Sequence, residues 1–396
     1  MIYFYFLTLL IYSFSIWKTK QNILSPFVFF GIFSFIYAFL PWFYLYSEKE
    51  IINSSFVYFD AELADKIIII QSFSNLILCI AIYSPISRTI IDNIENKKSI
   101  SNTKSWFWFL LPISILLSFH FPWPIFGESV TIGHSFAAFL KSFLLISFCF
   151  YCNTASSFKK FIAFSALLFV CLIDRSRTTL LLSIVVFFYY NKISFKKAVK
   201  YFPFLLILFL LFVWGTLSRN GIDFQPKYLS WIFYVEAIFG SYSSYQSIFI
   251  VDEGFSSFFS FLYPINDIVI YLIPSFFYTS LNLIKSEFYL LAEFVTNLWI
   301  TGDLLEKFSP MGGHFYLGEF YIYFKYLTPL FISLFYYLFL KIIKFIRYKE
   351  IAILFYCSSF LLVKSPILNV FKHLLSLIIF SYIMMFIIKK ISYEKN

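Results

Sequence analysis

The chain has 396 residues, 60% of them hydrophobic and only 13% charged, with a net charge of +10 and a mean hydropathy of +0.80. A soluble domain is nearer half apolar and a quarter charged, so the composition excludes one. It points instead to an all-α polytopic integral membrane protein, because helices satisfy every backbone polar group inside lipid.

Taken in chain order, apolar runs recur at 2–17, 23–46, 66–87, 105–120, 136–153, 159–173, 178–191, 200–214, 320–340, 351–363 and 366–388, giving about 11 transmembrane helices in a single membrane domain spanning 1–396. The first run has no basic stretch before it and no small-residue cleavage site after it. It reads as a retained span, not a signal peptide. A bilayer core takes about 20 residues, so the runs of 14 borrow from their flanks.

The basic residues choose an orientation. Loops 18–22, 88–104, 154–160, 190–200 and 341–350 and the C-terminal tail together hold 19 of the 31 Lys and Arg, and only 4 of the 21 acids. The positive-inside rule makes these loops cytoplasmic. The N-terminus is then outside, the C-terminus inside, and the net charge is a topology signal with no implication of nucleic acid. One long loop, 215–319, lies on the outer face. Its apolar stretches within 228–250 and 255–283 read as in-plane or re-entrant helices. A further pair of spans would place Val251-Asp252-Glu253-Gly254 inside with no basic residue.

Three outer-face stretches carry chemistry. In CLIDRSRTT, Arg175 and Arg177 occupy a tight link between two apolar runs. Guanidinium forks match phosphate oxygens, and Ser176, Thr178, Thr179 and the next helix start add donors. The structural alternative is a snorkelling pair, with Asp174 neutralising one arginine. In GTLSRNGID, Arg219 follows a span directly and Asn220-Gly221 can turn the chain. In GGHFYLGEF, His314 and Glu319 precede a span, and either can take a proton from a hydroxyl. Glu319 can equally be a helix N-terminal acid favoured by the dipole, and Lys325 can pair with it or meet lipid phosphate. Glu236, Asp252, Glu253 and Asp267 are reserve bases.

His120, His134, His314 and His373 are scattered without ligand spacing, so no metal is expected. Cys149-x-x-Cys152 reads as a pair of small core thiols.

The order of these features, a hairpin with S-R-T, a long outer loop opened by S-R-N-G, and G-G-H-x-x-x-G-E-x-Y-x-x-F leading into a span, resembles the O-antigen and capsule repeat-unit polymerases of the Wzy type. Where that family often has N-F-G, this chain has Tyr323-Phe324-Lys325. The resemblance implies a bacterial inner-membrane glycosyltransferase that needs no cofactor. It would transfer a growing glycan from undecaprenyl diphosphate to the non-reducing end of a new lipid-linked repeat on the outer leaflet. Arg175, Arg177 and Arg219 would hold the diphosphate, and His314 or Glu319 would be catalytic. The apolar stretches of the long loop would line a groove for the polyprenyl chain. Its partners would be the lipid-linked oligosaccharide, membrane lipid, a chain-length regulator and a flippase. An O-antigen ligase shares the arginine logic. A flippase or transporter calls for charges inside spans and for repeat symmetry.

Overall fold

The computed structural model describes residues 1–47, 61–100, 104–122, 132–174, 177–192, 315–365 and 367–393, with isolated positions between 203 and 252. Among the described residues no strand forms. The helices are, in chain order, α1 (Ile2–Lys18), α2 (Pro26–Ser34), α3 (Leu40–Ser47), α4 (Ala61–Tyr83), α5 (Pro85–Glu95), α6 (Lys104–His120), α7 (Ile132–Thr154), α8 (Ser157–Ile173) and α9 (Arg177–Tyr190). After the long loop come α10 (Tyr316–Phe324), α11 (Thr328–Phe345), α12 (Lys349–Cys357), α13 (Leu361–Lys364) and α14 (Ile367–Tyr393). The protein is thus an all-α membrane protein, with Pro26–Phe43, Ala61–Tyr83 and Phe136–Thr154 long and apolar enough to cross a membrane by length and composition; Tyr316–Phe345 is also apolar and long enough but folds back on itself. Helices occupy ten of the eleven expected segments; 200–214 lies almost wholly outside the described residues.

Two helix starts are set by Ser-Pro. Ser25 and Ser84 accept the N–H groups of Phe27 and Ser87, each with proline in the first helical position, where its missing N–H costs nothing. Between α2 and α3 the chain widens into a π-helical turn, Phe35–Phe39. Pro41 has no N–H to offer the preceding turn, and Leu40 reaches back five residues to the Phe35 carbonyl, a common accommodation for proline within a helix.

Neighbouring helices interlock through rings. Phe107 of α6 meets Phe148 and Tyr151 of α7, Phe164 of α8 stacks on Phe187 of α9 at 4.2 Å, and Phe380 of α14 meets Phe139 and Phe143 of α7. Aromatic pairs of this kind contribute about 0.5–1.5 kcal/mol beyond their buried area.

The basic loops gather at one end of the bundle. Gln21 donates to Ser87 at 2.8 Å, Lys349 N–H to the Lys98 carbonyl at 3.1 Å and Lys160 to the Tyr190 carbonyl at 3.3 Å. Lys97 donates to the Lys344 carbonyl at 2.8 Å and so caps the C-terminal end of α11. At the same end Glu350 accepts from the Ser99 hydroxyl at 2.7 Å, the Asn153 amide at 2.8 Å and the Ile100 N–H at 3.2 Å. Burial pushes its carboxyl above the usual range against the opposing pull of Ser99 and Ile100. Glu350→Ala leaves three donors without their acceptor and should cost about 1–3 kcal/mol, read as a lower thermal midpoint in detergent.

Three expectations need correction. The stretch 88–104 is not all loop: α5 is an amphipathic helix whose Ile90 and Ile94 are buried while Arg88 and Asp92 are exposed. It packs on α11 and lies along the same end. The span expected at 66–87 runs instead from Ala61 to Tyr83. The third and largest correction is the span expected at 320–340. Phe324 stacks on Phe331 at 3.6 Å and Phe320 meets Phe335 at 5.6 Å. A straight helix would hold the latter pair about 22 Å apart. Residues 316–324 and 328–345 are therefore an antiparallel helical hairpin, turned at Lys325–Leu327. Lys325 takes φ 47° there, which a non-glycine residue adopts only when its surroundings impose it.

Candidate functional site

The nine residues of α10 reach about half as far as the eighteen of α11. Its first turn therefore lies inside the bundle, and Phe315, Tyr316 and Leu317 are all fully buried. A chain of polar side chains holds it there. Tyr316 donates to Gln71 at 3.0 Å, Gln71 to Asn75 at 3.0 Å, Asn75 to Thr8 at 3.4 Å, and Thr8 to the Tyr5 carbonyl at 2.8 Å. Each amide uses one end to accept and the other to donate, so the chain has a single direction. Ser244, from the helical positions before residue 253, accepts the Gly318 N–H at 3.1 Å and donates to the Phe315 carbonyl at 3.1 Å. That satisfies one of the N–H groups that a helix start leaves open. A half-helix beginning at mid-depth is a recurrent way to aim backbone N–H groups at an anion within a membrane bundle.

Glu319 lies in the first turn of α10 and is buried. His314 falls immediately before the described residues resume. Lys325 is exposed in the hairpin turn. Two residues past Glu319, Tyr321 donates to Asp252 at 3.4 Å, and Asp252 in turn takes Lys66 at 2.7 Å. This puts Asp252 at the end where α4 begins, opposite the basic loops. Beside it, Asp65 accepts from Trp42 Nε1 at 2.8 Å and from the Tyr46 hydroxyl at 3.2 Å.

The second part of the site is the tip of the α8–α9 hairpin. Asp174 closes α8 and is 1% exposed, and its carboxylate is paired with Lys141 of α7, itself 3% exposed. The buried carboxylate thus takes a lysine from another helix, and the expected partnership of Asp174 with an arginine lies outside the described residues, because the side chains of Arg175 and Arg177 do. Lys141 is nine residues into α7, so about two turns of α7 extend beyond Asp174. Asp174 is therefore recessed below the end of α7. Arg177 is the first residue of α9. Arg175 and Arg219 lie outside the described residues, as do Glu236, Glu253 and Asp267.

Lys141 and Gln71 were missed in the sequence. Both carried a signal: a lone ionisable or amide side chain inside an apolar span needs a partner there. Lys141 places an ionisable group inside an expected span, 136–153. α9 packs on α12 through Tyr189 and Tyr356, at the end of α9 away from Arg177, and α10 packs on α13. Among the described residues no three His, Cys, Asp or Glu side chains come together to hold a metal. Cys149 and Cys152 are buried, and Cys149 meets the Tyr190 hydroxyl at 3.4 Å.

Comparison of the chain with family models, with curated proteins and with solved structures returns no match.

Proposed function

We propose that the protein polymerises lipid-linked oligosaccharide repeat units. It would do so as a multi-pass protein of the bacterial inner membrane with eleven spans, its basic end facing the cytoplasm and its N-terminus outside. The observation that carries this reading is the Lys141–Asp174 pair. Lys141 of α7 meets Asp174, and Arg175 and Arg177 follow Asp174 directly in the sequence, so the hairpin stretch and the lysine that meets it carry three cations against one carboxylate. A cytoplasmic loop uses such an excess for topology. An outer hairpin has no topological use for it but suits a phosphate-bearing ligand.

In the proposed reaction the acceptor hydroxyl attacks the anomeric carbon of the lipid-linked glycan. The new carbon–oxygen bond forms as the bond from that carbon to the diphosphate breaks. Arg175, Arg177 and Arg219 bind the diphosphate and stabilise it as it leaves with the bonding pair. The acceptor proton passes to Glu319 or His314, on the half-helix that Tyr316 and Gln71 hold in the bundle. Asp252, which takes both Tyr321 and Lys66, supports the reading of the long loop as external, because it lies at the end opposite the basic loops.

A transporter is the second reading. An ionisable pair inside the bundle favours it.

A surface-polysaccharide gel on a strain lacking the gene tests the proposal. A polymerase leaves core bearing a single repeat, and the wild-type gene restores the ladder. Bare core with polymer accumulating on lipid carrier would make the chain a ligase. An unchanged ladder would overturn both readings.

A further inference from the structure

At the end opposite the basic loops, two constellations meet on consecutive residues of α4. Asp65 holds Trp42 and Tyr46, and the rings of these two lie 4.6 Å apart. Lys66 holds Asp252, which also takes the Tyr321 hydroxyl, and the Tyr321 ring meets Tyr326 edge-on at 6.1 Å. Two aromatic pairs thus flank two carboxylates and an ammonium. The groups are accessible: Tyr46 is 47% exposed, Tyr326 is 78% exposed, and the Lys66 and Asp252 side chains are 34% and 30% exposed.

Resting on the polymerase reading, we infer that this patch is a saccharide subsite, in which Tyr46 and Tyr326 present ring faces to a pyranose and Asp65 and Asp252 accept its hydroxyls. The chemistry selects that ligand. Aromatic faces cover the C–H face of a sugar ring, and a carboxylate accepts from two neighbouring hydroxyls at once. The local charge selects it too. Glu62 and Asp252 both pair with Lys66, at 3.3 and 2.7 Å, and Asp65 precedes it, so three carboxylates stand against the two cations Lys66 and Lys325. Such a patch repels a diphosphate and tolerates a neutral sugar. The lipid-linked repeat is thereby divided, with its anionic end at the arginine hairpin and its glycan here. Tyr321 and Glu319 lie on the same short helix, about 3 Å apart along its axis but on different faces. An interfacial aromatic belt is the alternative, and it requires no sugar.

The test uses the full chain in lipid nanodiscs. The probe is the oligosaccharide released by mild acid from the lipid-linked fraction of the deletion strain, observed by saturation-transfer NMR. Wild type should saturate the sugar C–H protons. Tyr326→Phe should keep that binding, Tyr326→Leu should weaken it at least tenfold, and Asp65→Asn should weaken it similarly. Tyr326 sits in an exposed turn, so its variants keep the fold, and unchanged thermal midpoints confirm that. Equal binding by wild type and Tyr326→Leu overturns the subsite, as does a wild type that binds no oligosaccharide. The polymerase reading is separated by the gel: a ladder that still depends on the gene keeps that reading even when the subsite fails.

Discussion

Lys141→Met should lower the stability of the bundle by about 3–5 kcal/mol, because it leaves Asp174 as a buried charge without its lysine. Both side chains are almost completely enclosed, so water cannot take over the role of the ammonium. The double variant Lys141→Met/Asp174→Leu should recover most of that loss, since replacing a buried pair by apolar groups of similar size is often neutral. Thermal midpoints of the purified chain in one detergent check both. A single variant as stable as wild type would show that the pair does not fix the hairpin. The double variant separates stability from position: it should fold, yet lose the defined depth of the tip and with it the polysaccharide ladder.

The second large effect is expected at Arg177. Arg177→Lys keeps the charge, the topology signal and the capacity to snorkel, but not the two-pronged fork. If the residue serves only the bilayer interface, the variant is silent. If it holds a diphosphate leaving group, transfer should fall by about 100- to 1000-fold, the usual effect of removing one electrostatic contact made in the transition state. The check is the length distribution of surface polysaccharide at equal membrane levels of the two proteins. A ladder matching wild type would remove Arg177 from the site.

Much of the fold was legible because the forces that set it are local. Unbroken apolar runs made helices at α1, α4, α7 and α14, and alternating basic loops marked one end of the bundle, where Lys97, Lys98, Lys160 and Lys349 indeed meet across chain separations of up to about 250 residues. The hairpin at Lys325–Leu327 was harder to see. No glycine marks it, and its one signal was Pro329, a residue suited to a helix start. The amphipathic α5 was hidden among the charges that identified its loop. At the site, the sequence showed which residues carry charge but not which of them neutralise one another. Asp174, next to two arginines in sequence, also takes a lysine 33 residues away. Asp252 chose Lys66 across 186 residues. Such pairings depend on the bundle's packing, which no short spacing encodes.

The central claim is group transfer from a lipid diphosphate, and reconstitution tests it most directly. The chain in nanodiscs is supplied only with the lipid-linked single repeat extracted from the deletion strain, and products are read by mass spectrometry. The account predicts lipid-linked dimers and longer oligomers, with one free polyprenyl diphosphate released for each bond formed. Lipid-linked single repeats returned unchanged, with no free polyprenyl diphosphate, would contradict it.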